Sequence, residues 1–344
     1  MAILEVDSLR KTYGGFTAVE GSTFAVERGE VFGVVGPNGA GKTTTLKMLA
    51  GLVEPTDGTA VVAGHTPGDP EMARRLGFLP EESPLYEEMT ASGYLEFFAD
   101  LYDVPRDVAR DRIDRTLDRL ELEHRDRRLG NVSKGMKRKV AIARALVNDP
   151  DVLIFDEPAS GLDPLTTNYI IEFTRELSEE GKTVIFSAHN LFHVESVCDR
   201  IVIMNDGRIV ARGAVDEIRD AHGGTEYHVF ATVDAGGGVR EPAVGADADA
   251  TDSIRRFRHA VDDMAGVESV RETVEREGGR IVDIQTETPT LEEIFLEVAG
   301  GSDGSQATRR ESIDGSAATA DGEGGPTDGT QASSDDEDAA EAET

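Results

Sequence analysis

A chain of 344 residues with 38% hydrophobic content carries enough apolar material for one large or two modest cores. Its formal net charge of −32, with only 35 Lys and Arg against 67 Asp and Glu, argues against bulk binding to a phosphate backbone. A single cysteine, Cys198, excludes an intrachain disulfide, and no apolar run approaches the roughly 20 residues that cross a bilayer.

Residues 1–64 read as short strands separated by glycine turns: ILEVDSL, STFAVERGE and TAVVAG. Within them VFGVV (Val31–Val35) runs as a strand into GPNGAGKTT, Gly36 to Thr44, and then into the helix TTTLKMLAG. This stretch fits the pattern G-x-x-x-x-G-K-[ST] in its required context, after a strand and before a helix. Gly36, Pro37, Asn38, Gly39, Ala40 and Gly41 would curl backbone N–H groups around phosphates, with the helix N-terminus adding its dipole. Lys42 is expected at the β and γ phosphates, Thr43 on a Mg²⁺ ion, and Thr44 completes the loop.

Residues 85–147 read as mostly helical, with LEFFADLY and RDVARDRIDRTLDRLELE at helical spacing. The stretch NVSKGMKRKVAIARAL then reads as a helix opening on Ser133, bearing Lys134, Lys137, Arg138, Lys139 and Arg144. Such a start attracts an anion. VLIFDEP, Val152 to Pro158, is an apolar strand ending in two carboxylates. Asp156 is placed to hold Mg²⁺ through water, and Glu157 to orient and deprotonate an attacking water. The bland alternative, a strand end with solvated acids, loses weight in a chain that already holds a phosphate loop.

The helix PLTTNYIIEFTRELSEEG leads to the strand TVIFSA, followed by His189, whose imidazole could contact a γ-phosphate and hold the water's geometry. Cys198, in the apolar-periodic LFHVESVCDRIVIM, reads as a small core residue, and IVIMNDGRIVARG reads as a hairpin about its Asn-Asp-Gly turn. Composition shifts near Ala221. Beyond it the reading is a strand EYHVFATV, a Gly/Ala/Asp linker at 234–251, a helix SIRRFRHAVDDM, strands SVRETVE and IVDIQTE, and a helix TLEEIFLEVAG. Residues 301–344 are acidic and almost free of apolar side chains, which predicts disorder and a solvating role.

The order GPNGAGKTT, VSKGMKRKVAIARAL, VLIFDEPASGLD and SAH resembles the ATP-binding-cassette (ABC) ATPases over about residues 1–220. The resemblance implies an α/β P-loop NTPase fold: a RecA-like mixed sheet, an antiparallel β subdomain and a helical signature subdomain at about 85–147. Domains are expected at 1–222 (nucleotide binding), 223–300 (a small α/β accessory domain) and 301–344 (an acidic tail). The cofactors implied are ATP and Mg²⁺. Ser133, Lys134, Gly135 and Met136 fall where the family has its signature sequence, whose Ser and Gly backbone face the γ-phosphate of a second subunit's ATP. Tyr13 looks like the family's adenine-stacking aromatic, although a plain strand-end tyrosine competes with that. Ser160, Gly161, Leu162 and Asp163 match the loop that crosses the dimer interface. Glu81 stands where the family usually has Gln as a ligand to Mg²⁺ and water. Lys134 and Met136 depart from the usual Gly and Gln. A carboxylate at position 81 can still bind Mg²⁺ but repels phosphate oxygens.

The implied partners are a second cassette, expected as a homodimer, and a separate transmembrane permease, with no nucleic acid. The implied location is peripheral, at the cytoplasmic face of the cell membrane. The accessory domain ending in TPTLEEIFLEVAG resembles those of exporters of drugs, ions or lipids, and the expected function is the ATPase of an ABC-2-type exporter. One competitor is a soluble cassette ATPase acting on DNA or ribosomes, which would typically carry coiled-coil insertions, zinc cysteines or a second cassette. Another is a P-loop kinase or GTPase, against which the signature and the absence of an N-K-x-D motif both speak. The acidic, Lys-poor surface suits a salt-rich cytoplasm. Purified protein is therefore expected to lose structure as salt is lowered. Circular dichroism across a salt titration checks this, and full stability at low salt removes the reading.

Overall fold

The computed structural model describes residues 1–222, 225–234 and 254–300. Most of the expected 234–251 linker and the whole 301–344 tail lie outside the described residues. Among the described residues no helix is long and apolar enough to cross a membrane.

Strands β1 (Ala2–Tyr13) and β2 (Phe16–Glu27) form a hairpin joined by Gly14-Gly15. Strand β3 (Val31–Val35) is buried along its whole length and leads through the glycine loop into helix α1 (Lys42–Leu49). Strand β4 (Asp57–Val62) pairs with β1, completing the antiparallel sheet β2-β1-β4. Helix α2 (Pro70–Arg75), capped by the Asp69 side chain, precedes strand β5 (Leu76–Leu79). Helices α3 (Ala91–Leu101) and α4 (Arg106–Arg119) bury Ala91, Leu95 and Ala99 on one and Ala109, Ile113 and Leu117 on the other, at four-residue spacing, with Tyr94 of α3 buried beside them. Helix α5 (Lys134–Leu146) opens on Ser133, whose hydroxyl accepts the Met136 N–H.

The remaining core elements alternate: strand β6 (Val152–Phe155), helix α6 (Pro164–Glu179), strand β7 (Thr183–Ala188), helix α7 (Leu191–Val197) and strand β8 (Arg200–Asn205). Strand β9 (Arg208–Ala214) returns antiparallel as a hairpin, and helix α8 (Val215–Ala221) follows. The main sheet runs β5-β6-β7-β3-β8-β9 and is parallel except at β9. Strands β3 and β6 are apolar throughout because both faces of the sheet are covered there. Leu153, Phe155, Val184 and Phe186 point into a core shared with the helices α3 to α7, while Val152, Ile154, Ile185 and Phe32 point into a second core with α1 and the antiparallel sheet.

The C-terminal portion differs from the sequence reading at two elements. SIRRFRHAVDDM is not a helix but contributes strand β11 (Ile254–Val261), which pairs antiparallel with β10 (Glu226–Asp234). SVRETVE is not a strand but lies inside helix α9 (Met264–Arg276). Exposure along Phe257–Val261 alternates with period two, which a helix would not produce. The Asp263 carboxylate accepts the Gly266 N–H and starts α9, whose Val267, Val270 and Val274 recur at three- and four-residue steps. Strand β12 (Arg280–Glu287) pairs on the other side of β10, and helix α10 (Leu291–Gly300) follows, both as expected. Leu291 and Ile294 of α10 are buried in the same apolar cluster as Val194 and Val197 of α7 and Ile218 of α8.

Helix α5 lies close on β5 because Gly77 has no side chain. A Cβ there would sit 2.0 Å from the Ala145 carbonyl oxygen. Gly77→Ala is expected to lower the unfolding free energy by about 1–3 kcal/mol through overpacking, read as a shift of the urea midpoint.

Candidate functional site

Three parallel strands deliver their chemistry to one edge of the sheet. Val35 pairs with Ala188 and Phe155 with Phe186, so the loops after β3, β6 and β7 emerge side by side. The loop after β3 needs glycine at two places. Gly36 (φ 145°) has the Met204 carbonyl oxygen 2.2 Å from where a Cβ would stand, and Gly41 (φ 101°) has the Ala18 oxygen at 2.5 Å. No side chain caps α1, so its leading N–H groups face the loop.

Lys42 is buried, and its Nζ donates to the carbonyls of Gly36 (2.8 Å) and Pro37 (3.2 Å). The same ammonium lies 3.7 Å from Glu157 Oε1. Thr43 Oγ1 donates to Asp156 Oδ1 at 3.2 Å, and Ser187 Oγ donates to the same oxygen at 2.7 Å. Asp156 is fully buried, and its Oδ2 has no hydrogen-bond partner. A buried carboxylate oxygen without a partner costs free energy unless something cationic reaches it. Beside the Thr43 hydroxyl, this fits a Mg²⁺ ion that takes its other ligands from water and phosphate. Among the described residues no cluster of three or more His, Cys, Asp or Glu side chains could hold a metal by itself.

Glu157 has a positive φ of 49°, a sparsely populated conformation for a residue with a Cβ. Its N–H donates to Ser187 Oγ at 2.9 Å, and its Oε2 lies 2.7 Å from His189 Nδ1. Glu157 is only 6% exposed. Together with His189, Ser160, Gly161 and Leu162 it lines a cavity of about 170 Å³, enough for several waters. His193 lines the same cavity, and burial, with His189 nearby, pushes its pKa down.

The structure thus brings Lys42, Thr43, Asp156, Glu157 and His189 together. Residues 36–41 and Thr44 flank Lys42 and Thr43 in the same loop, whereas Ser133, Gly135, Asp163, Tyr13 and the Glu81 side chain make no hydrogen bond to this group among the described residues. Ser133 is exposed at the head of α5, and Gly135 faces Thr166 of α6. The Asp163 carboxylate caps α6, accepting the Thr166 N–H (3.0 Å) and hydroxyl (2.7 Å), which hold it below the usual carboxylate range. Among the described residues no hydrogen bond or ion pair joins Ser133, Gly135 or Asp163 to residues 36–44. Tyr13 stands solvent-facing at the end of β1, with Lys11 Nζ 5.0 Å from its ring centroid. The Glu81 side chain is exposed, and no hydrogen bond or ion pair among the described residues joins it to Thr43 or Asp156.

The helix α5 cations are not a uniform anion-seeking face. Lys137 pairs with Glu87 at 2.9 Å, Lys139 lies 4.1 Å from the Tyr169 ring centroid, and Arg144 donates to the Tyr94 hydroxyl at 3.2 Å. Arg138 is buried and donates to five backbone carbonyls, and burial pushes its pKa down to about 10. The sequence pattern sets Arg138 among the helix cations without marking it as buried, and Ser187 is a site residue that it does not single out. The available signal for Ser187 is a hydroxyl near the end of TVIFSA, after three apolar residues.

Residues 19–160 match the family model described as ABC transporter, and residues 213–299 match that of the C-terminal domain of DrrA1-3-like ATP-binding proteins. The linearmycin resistance ATP-binding protein LnrL of Bacillus subtilis is 33% identical over 310 residues, covering 87% of this chain and 98% of that protein. The ABC transporter ATP-binding protein NatA of the same organism is 41% identical over 208 residues, covering 59% and 85%. Nod factor export ATP-binding protein I of Ralstonia nicotianae is 42% identical, covering 63% and 68%. Among solved structures, an ATP-binding subunit of an ABC transporter superposes with a TM-score of 0.59 at 36% identity, covering 64% of this chain and 92% of that one. A dimeric ATP-binding cassette in a post-hydrolysis state, bound to ADP and Pi, superposes with a TM-score of 0.57 at 26% identity, covering 62% and 98%.

Ser187 satisfies the Asp156 carboxylate and the Glu157 N–H at once. Ser187→Ala leaves both short of a partner in a buried setting and is expected to cost about 1–3 kcal/mol of stability, measured by calorimetric unfolding.

Proposed function

This chain belongs to the ATP-binding proteins of ABC transporters and is an ATPase that works with Mg²⁺, and we propose that it drives an ABC-2-type exporter whose membrane-spanning part is a separate chain. The relatives NatA, Nod factor export ATP-binding protein I and LnrL share its cassette, and the match to LnrL covers 87% of this chain. We take residues 1–222 as the nucleotide-binding domain and 223–300 as the accessory domain. The separate sheet β11-β10-β12 supports that division.

In the proposed cycle two copies meet head to tail around two ATP molecules, at the cytoplasmic face of the membrane. The dimeric arrangement of a similar cassette supports the pairing. The loop Gly36–Thr44 surrounds the phosphates, and Lys42 contacts the β and γ groups. Tyr13 stacks on adenine. Thr43 and Asp156, with Glu81, hold Mg²⁺, which when bound neutralises charge on the phosphate oxygens. Ser133 and Gly135 of the opposite copy close the pocket with backbone and hydroxyl donors, and Asp163 shapes the loop that crosses between copies.

Glu157 takes a proton from water as its oxygen forms a bond to the γ-phosphorus, and the bond from that phosphorus to the β-phosphate oxygen breaks. ADP and phosphate result. His189, 2.7 Å from Glu157, keeps the carboxylate aimed and reaches the γ-phosphate. Loss of the γ-phosphate removes the contacts that closed the pair, and the stretch Glu81–Tyr86 carries the opening to the membrane partner. The charge balance alone supports a salt-rich cytoplasm as its setting.

The observation that carries the reading is the convergence of Lys42, Thr43, Asp156, Glu157 and His189 at one sheet edge. Glu157→Gln is expected to lower ATP turnover by roughly 10²–10⁴-fold while sparing ATP binding, measured by phosphate release and equilibrium nucleotide binding. Near-normal hydrolysis by that variant would remove the role of Glu157.

A further inference from the structure

Arg138 has five N–H donors, and every one meets a backbone carbonyl. Nε donates to Pro158 (2.7 Å), Nη1 to Pro80 (2.8 Å) and Glu81 (2.9 Å), and Nη2 to Asp156 (3.0 Å) and Glu157 (2.7 Å). None of the five is a carboxylate oxygen. Three carbonyls belong to the turn after β6 and two to the end of β5. The guanidinium itself sits on α5, five residues beyond Ser133.

Burying a guanidinium is costly, and Arg138 is 8% exposed. Filling the space would need no charge. What a planar, five-donor fork supplies is simultaneous hold on carbonyls that point in different directions. One of them belongs to Glu157, the residue at φ 49°. Ser187 Oγ takes the N–H on one side of that residue and Arg138 takes the carbonyl on the other. The two bonds offset a backbone conformation that is unfavourable for a residue with a Cβ. They also leave the carboxylate free to meet His189 and Lys42. The Pro80–Glu81 carbonyls share the same anchor, so the segment proposed to speak to the membrane partner cannot shift without disturbing the hold on Glu157.

We propose that Arg138 is a positioning residue for hydrolysis: it holds the Glu157 backbone in its left-handed conformation and ties it to the Pro80–Glu81 segment. This rests on the role given above to Glu157. Arg138 acts on the rate of the chemical step and not on nucleotide affinity, because none of its donors is left to meet a phosphate.

The test uses the full chain with Arg138→Lys, Arg138→Gln, Glu157→Gln and the double variant Arg138→Lys with Glu157→Gln. Lys keeps the charge without the fork. Gln is neutral and shorter, so a fold lost by one substitution can survive in the other. The kcat is normalised to sites that bind a non-hydrolysable ATP analogue, which removes any loss of folded protein from the comparison. Both Arg138 variants should lose roughly 10²-fold in kcat, with KM and analogue affinity changed by less than about twofold. The double variant should be no slower than Glu157→Gln alone, since a misplaced carboxylate and a missing one are the same defect. A kcat per binding site within about twofold of the wild type in the Lys variant overturns the proposal. So does a multiplicative loss in the double variant. If Glu157→Gln itself turns over normally, the reading of Glu157 has failed; if it is inert while Arg138→Lys is normal, only the role of Arg138 has.

Discussion

Parallel register is the constraint on which the site depends. The Val35–Ala188 and Phe155–Phe186 pairings set three strand ends level, and Lys42, Thr43, Asp156, Glu157 and His189 all lie just beyond those ends. A slip of one residue in β6 would turn Phe155 away from its layer and carry Asp156 off Thr43. The register is defended by burial on both faces, since alternate residues of β6 and β7 feed two separate cores. The apolar character of VLIF and TVIFSA is therefore what aims the carboxylates.

Around that edge the charges are arranged to be tolerable inside protein. Asp156 and Glu157 are adjacent acids with little access to water. Lys42 faces Glu157 from one side, and the Arg138 cation sits behind the turn on the other. Ser187 and Thr43 supply neutral donors to a single oxygen of Asp156 and leave its second oxygen open. That asymmetry is the physical content of a cation site: one oxygen is fixed, the other is available.

The cassette was legible because its signals are local and redundant. A strand, a glycine loop and a helix follow each other within Val31–Leu49, and the Asp-Glu pair ends an unbroken apolar strand. The small C-terminal sheet was less so. Ile254, Phe257 and Val261 can be spaced as a helix, and only pairing with β10 selects the strand. For α9 the sequence carries two conflicting local signals, the Asp263 cap followed by valines at helical steps and the β-branched character of SVRETVE, and the first prevails. Arg138 was out of reach for a different reason. In the sequence it is one cation among five, and only the closeness of α5 to β5, permitted by Gly77, turns it inward.

The docking of α10 ties the accessory portion to the cassette thermodynamically as well as spatially. Leu291 and Ile294 complete an apolar cluster with α7 and α8, and the Leu291 N–H donates to Glu195, which also pairs with Arg219. Helix α7 begins two residues after His189. Cutting the chain before α10 would uncover the apolar faces of α7 and α8 that Leu291 and Ile294 cover, so the last helix is in effect a buttress for both, and the melting of one portion should drag the other with it.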